Sequence, residues 1–162
     1  MGQSWEPFGL TRQLAEGEPK AARGSAPARP RPEDSAPAGV PSRPLSRRPS
    51  RKLVIVTCMD ARVDPLAALG LSLGDANVIR NAGATISDDV LRSVHLSHAM
   101  LGARRAVLIG HTDCAGHESD AATEASLRDG LRRIRGSSAV PDDFGLEALM
   151  YDVNTGALSP VR

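Results

Sequence analysis

Aromatic residues are almost absent from this chain: two Phe, one Tyr and one Trp among 162 residues. Its core must therefore be packed from Val, Ile, Leu and Ala. Cysteine is equally scarce, and both copies, Cys58 and Cys114, sit in stretches that hold other reactive groups. Thiols so placed suit metal ligation in a reducing, cytoplasmic setting, with a structural disulfide between them as the alternative. No apolar run approaches the roughly 18 residues that a membrane span needs. The first residues show no apolar signal-peptide segment, so none is expected. An excess of charge is missing too. Twenty basic against nineteen acidic side chains leave a net +1, so neither nucleic acid nor a membrane surface is expected as a partner.

Proline, by contrast, is abundant but unevenly placed: nine of the twelve fall in residues 1–50, mixed with Ala, Ser, Gly and Arg. Such a composition buries too little apolar surface to offset chain entropy, so residues 1–50 are expected to be a disordered tail. Within it, only Trp5-Glu6-Pro7-Phe8-Gly9-Leu10 and the following turn could dock. The basic run Arg43–Lys52 reads as a solvated linker. Residues 51–162 are the expected folded domain, and their length allows one domain.

That domain begins with Leu53-Val54-Ile55-Val56-Thr57, a strand buried on both faces. Cys58, Asp60 and Arg62 follow at every second position, a spacing that in extended chain points all three side chains one way. A second apolar run, Val107-Leu108-Ile109-Gly110, ends likewise in His111-Thr112-Asp113-Cys114. Between them lie a helix opened by Asp64-Pro65 and stopped at Gly70, and a short strand Asn77–Arg80 closed by Asn81-Ala82-Gly83. A second helix follows, capped by Ser87 with Asp88 and Asp89 in its first turn and ending at Gly102. A weaker helix is expected over Ser119–Arg135, with Gly130 as a weak point. A last strand over Leu146–Val153 precedes an Asn154-Thr155-Gly156 turn. Alternating strands and helices predict an α/β fold: a mostly parallel sheet of about four to five strands flanked by helices. If strands two and three lie on opposite sides of strand one, Cys58 and His111 meet at the carboxyl edge where the winding reverses.

Two thiols and an imidazole suit zinc, and three protein ligands leave a position open for chemistry. The remaining candidates are weaker. His117 reads as an exposed surface residue, with proton shuttling as the sharper alternative. His98 falls on an apolar helix face and reads as a core or interface residue. Asp113 is either a partner to a ligand or solvated, and Arg80 and Asn81 either orient site groups or cap their loop.

Cys58-x-Asp60-x-Arg62 together with His111-x-x-Cys114 resembles the β-class carbonic anhydrases. Val78-Ile79-Arg80-Asn81-Ala82-Gly83 and Asp88-Asp89-Val90-Leu91-Arg92-Ser93 resemble that family's small bacterial members. The similarity runs over about residues 50–118, with a fainter echo at Leu149–Leu158. It implies Zn2+ held by Cys58, His111 and Cys114, and catalytic roles for Asp60 and Arg62. Asp60 would pair with Arg62, or alternatively swing onto the metal as a fourth ligand in a closed state. The implied reaction is reversible hydration of carbon dioxide to bicarbonate by a zinc-bound hydroxide, in a homodimer or dimer of dimers with the site at a subunit interface. Hydrolysis of carbon disulfide or carbonyl sulfide on the same scaffold is the alternative, as is a truncated, non-catalytic zinc-binding paralogue. Two departures bear on this. Residues 1–50 do not resemble the family's helical arm, and the segment between Cys114 and Leu127 is shorter than relatives carry.

Overall fold

A computed structural model describes residues 45–162. The tail expected over residues 1–50 therefore lies, for residues 1–44 and with it the Trp5–Leu10 segment, outside the described residues. Just before the first strand, Ser50 and Arg51 donate to the carbonyls of Gly74 and Asp75 at 2.9 and 3.0 Å.

β1 (Leu53–Cys58) is buried at every position. It has Val, Ile and Leu on both faces because it is central in the sheet, with a neighbour on each edge. Complete burial of a Val, Leu or Ile side chain is worth about 1.5–3 kcal/mol, so this one strand anchors the domain. α1 (Pro65–Ala68) starts where the Asp64 carboxylate accepts from the Leu66 and Ala67 N–H groups. β2 (Ala76–Asn81) runs into a 3-10 turn, Ala82–Ala84. α2 (Asp88–Ala99) is capped by Ser87, which accepts from the Val90 N–H, and it buries Val90, Val94 and Ser97. β3 (Arg105–His111) is buried from Ala106 to its end. α3 (Asp120–Arg135) is capped by Ser119 and buries Thr123, Leu127, Gly130 and Ile134. β4 (Gly145–Tyr151) and β5 (Leu158–Pro160) complete the sheet.

The strand order is β2-β1-β3-β4-β5, parallel throughout except for the antiparallel β5. β2 and β3 flank β1, which meets the condition under which Cys58 and His111 share an edge. In register, Cys58 pairs with Asn81 and Thr57 with Ile109, which brings the ends of all three strands to one edge. α2 and α3 cover one face, where Val54, Val56, Val90, Val94, Leu108, Leu127 and Ile134 form the core.

Three local features differ from the sequence reading. β5 lies beyond the Asn154-Thr155-Gly156 turn, in a three-residue segment too short to carry a periodic signal. Gly130 serves packing: a Cβ there would stand 2.7 Å from Ile86 Cγ1 and 2.9 Å from a Leu108 methyl, so its lack of a side chain lets α3 approach the sheet. The regular alternation past Cys58 also does not occur, because the strand ends at that residue and a turn follows. His98 holds the expected core-facing position: Nδ1 bonds the Ala103 carbonyl at 2.9 Å, and the ring meets Phe144 edge-on at 5.4 Å.

Candidate metal centre

Cys58 is the last residue of β1, His111 the last of β3, and Cys114 lies three residues into the following turn. That turn is sharp because Asp113 adopts φ +53°, a left-handed conformation that Asp tolerates better than most residues. The ligand atoms of the three residues lie within 4.8 Å of one another, and all three residues are buried. The two sulfurs are 3.9 Å apart. A disulfide would need about 2.05 Å. Two thiolates on a tetrahedral zinc, each about 2.3 Å from it, stand about 3.8 Å apart. Here both cysteines are free, and the spacing is that of shared ligation.

The histidine supplies the strongest test of fit. His111 Nδ1 lies 2.8 Å from the Thr112 carbonyl, an acceptor, so Nδ1 carries the proton and Nε2 presents its lone pair. Nε2 is buried without a hydrogen-bond partner. An orphaned buried nitrogen costs free energy unless something binds it, and beside two thiols the matching partner is a borderline-soft cation. The donor set of two sulfurs and one nitrogen fits zinc.

The thiols are unequal. Burial raises the Cys58 thiol, but surrounding donors, led by the Asp60 N–H and including the Gly83 N–H, outweigh it and bring the value down to about 7. Burial pushes Cys114 up, and the neighbouring Cys58 charge adds to this, against a lowering hydrogen bond from the Gly116 N–H. Cys58 is thus the readier thiolate in the metal-free protein.

Asp60 reaches the cluster from the turn after β1 rather than from an extended strand. Its Oδ1 accepts from the Arg62 N–H at 2.9 Å, closing a local turn, and from Arg62 Nε at 3.0 Å. Its Oδ2 accepts from Arg62 Nη2 at 2.8 Å and lies 3.9 Å from His111 Nε2. The guanidinium fork beside it holds the Asp60 carboxyl well below the usual carboxylate range. Arg62 also donates to the Asp113 carboxylate at 2.8 Å and to its carbonyl at 2.9 Å, joining the two turns.

Arg80 orients site backbone. Its Nε donates to the Cys58 carbonyl at 3.0 Å, and Nη2 to the carbonyls of Asp60 and Val63 at 2.7 and 3.0 Å. Asn81 instead ties its own loop, donating to the Thr85 carbonyl at 2.6 Å. His117 is half-buried rather than exposed, with Nε2 3.0 Å from the Gly83 carbonyl. Its burial depends on two glycine turns meeting, and no local spacing in the sequence signals that.

A mostly parallel α/β sheet with an S, N, S cluster and a clamped carboxylate at its carboxyl edge is the arrangement of a metal-dependent enzyme. The carbonic anhydrase family model matches residues 53–143. β-Carbonic anhydrase 1 of Mycobacterium tuberculosis is 36% identical over 141 residues, spanning 73% of this chain and 86% of that protein. A carbon disulfide hydrolase of Saccharolobus solfataricus is 45% identical, but over 64 residues that span 40% of this chain and 31% of that protein. The crystal structure of a carbonic anhydrase from Streptococcus mutans superposes with a TM-score of 0.67 at 34% identity, covering 76% of this chain and 88% of that one. The chain belongs to the β-carbonic anhydrase family. Among the described residues no helix is long and apolar enough to cross a membrane.

Proposed function

We propose that this protein catalyses the reversible hydration of carbon dioxide to bicarbonate, with Zn2+ held by Cys58, His111 and Cys114. The observation that carries this reading is the Asp60 carboxylate, 3.9 Å from the unpartnered His111 Nε2 and clamped through both oxygens by Arg62. A structural zinc site has no use for an ionised carboxylate fixed at its margin; a hydration site does. When bound, zinc supplies Lewis acidity at the coordination position that three protein ligands leave open. Asp60, ionised, accepts a hydrogen bond from a water or hydroxyl at the cluster and so orients an oxygen lone pair toward the substrate carbon. Arg62 keeps Asp60 ionised and holds it off the metal position. His111, fixed as the Nδ1–H tautomer, stays neutral as a ligand. Cys58 and Cys114, as two thiolates, offset the ion's double charge. The site is therefore less acidifying than a three-imidazole one, and turnover rises above about pH 8.

We assign the activity to residues 51–162 and read residues 1–50 as a tail outside it, in a cytoplasmic homodimer or dimer of dimers. The test sets two substrates against each other on the zinc-loaded full chain. Stopped-flow measurement should show carbon dioxide hydration, and carbon disulfide should release no sulfide. Sulfide release without carbon dioxide hydration would transfer the assignment to the sulfur-substrate hydrolases. Zinc binding without either activity would make the chain a non-catalytic relative.

A further inference from the structure

One half-buried histidine at the metal centre has no role in the hydration chemistry above. His117 lies three residues past Cys114, and its own N–H donates to the Cys114 carbonyl at 3.1 Å. Its side chain crosses to the other ligand turn, where Nε2 meets the Gly83 carbonyl at 3.0 Å. A carbonyl only accepts, so Nε2 carries the proton. The two turns touch closely. A Cβ at Gly116 would stand 3.1 Å from both the N and Cα of Gly83, and a Cβ at Gly83 would stand 2.6 Å from His117 Nε2. Gly83 itself has φ +70°, a left-handed conformation that glycine adopts at least cost. The Gly83 turn also borders the other thiol: Asn81, two residues before Gly83, pairs in register with Cys58 and accepts from the Met59 N–H at 2.9 Å.

We propose that His117 is a positioning residue of the metal centre: it fastens the Ala82–Ala84 turn to the Cys114 turn and so holds the backbone beside Cys58 and Cys114 in one arrangement. Glycine has the widest backbone freedom of any residue. Fixing its carbonyl therefore restricts the dihedrals of the turn that follows the register partner of Cys58. Such outer contacts commonly set metal retention. His117 thus joins the two turns, reaching Gly83 across 34 residues of sequence without touching the metal position.

The inference rests on the zinc reading of Cys58, His111 and Cys114, and its test separates the two. Full-length wild type, His117→Ala and His117→Gln are loaded with zinc, and transfer to a chromophoric chelator is followed. The same proteins loaded with cobalt(II) report the thiolate-to-metal charge-transfer band. His117→Ala should release zinc about tenfold to a hundredfold faster and shift the cobalt band. His117→Gln, whose amide nitrogen reaches to where Nε2 stands, should return both toward wild type. Where His117→Ala fails to fold, His117→Asn, whose amide falls short of the Gly83 carbonyl, takes its place with the same expected result. Unchanged zinc release and an unchanged cobalt band in the Ala or Asn variant would overturn the proposal. So would a variant with normal zinc release whose lost hydration rate is restored by imidazole buffer, because that result makes His117 a proton carrier. A wild-type chain that takes up no zinc would instead remove the ligand assignment beneath it.

Discussion

The two turns that form the metal centre leave adjacent strands at the same edge, yet they are held by different means. The turn after β1, Met59–Asp64, is held by guanidinium groups: Arg80 takes the carbonyls of Cys58, Asp60 and Val63, and Arg62 takes both oxygens of Asp60. The turn after β3, Thr112–Ser119, is held by the backbone and by neutral contacts. The Thr112 N–H donates to the Tyr151 carbonyl at 2.9 Å, Thr112 Oγ1 accepts from the Val153 N–H at 3.1 Å, and Gly116 and His117 press against Gly83. Asp113 is the link, giving Arg62 its second carboxylate while its own N–H donates to Asp120 Oδ1 at 2.9 Å. The difference separates two tasks. The charged turn sets the electrostatics of Asp60, and the compact turn sets the position of two ligands.

Breaking the compact turn at its ligand has the largest effect. Cys114→Ser replaces a soft thiolate with a hard, weakly acidic hydroxyl, so elemental analysis should find most of the zinc gone and hydration lost with it. Breaking the charged turn should instead spare the metal. Arg62→Ala keeps zinc near wild type while stopped-flow hydration falls by about a hundredfold or more, the scale of a misplaced proton acceptor. Acid unfolding gives the same contrast a sign. The folded-state pKa of Asp60 is depressed by Arg62, so its stabilising contribution is present above the unfolded value near 4. That contribution is lost as pH falls through the depressed folded value. Arg62→Ala removes the depression, and its stability should fall less steeply below about pH 4 than that of wild type.

Arg80→Met takes three carbonyls from one donor without altering any ligand. Thermal unfolding should show a loss of about 1–2 kcal/mol, with hydration reduced and zinc retained. The smallest effect separates the turns by their sulfurs. In metal-stripped protein, alkylation followed by peptide mass mapping should modify Cys58 with a midpoint near pH 7, while Cys114 should require pH above its ordinary thiol value of 9.0. Equal pH profiles for the two would erase the inequality.

How much of this was legible in the sequence follows the same division. Buried strands announce themselves by composition, so once β2 and β3 are placed on opposite sides of β1 the edge that gathers Cys58, His111 and Cys114 follows from two apolar runs. The caps at Asp64 and Ser87 are readable because a single side chain satisfies a local N–H. The placement of Asp60 was not, because strand phase ends at Cys58 and a turn closed by the Arg62 N–H takes over. The reach of Arg80 to three carbonyls depends on the pairing of β2 with β1, and a long flexible side chain carries no periodic trace of its target. Gly130 reads as a flaw in a helix until Ile86 and Leu108 are seen against it. His117 reads as a surface residue from sequence because its burial depends on contact with Gly83, 34 residues away.

The central claim, hydration that depends on one zinc per chain, is tested most directly by reconstitution. Zinc is stripped from the full chain, returned in measured steps, and the initial rate of carbon dioxide hydration is recorded by stopped flow at each step. The rate should be negligible without metal, climb in proportion to added zinc, and level at one equivalent per chain. A hydration rate that is independent of zinc, or a fully loaded protein that stays inactive across pH 7–9, would contradict it.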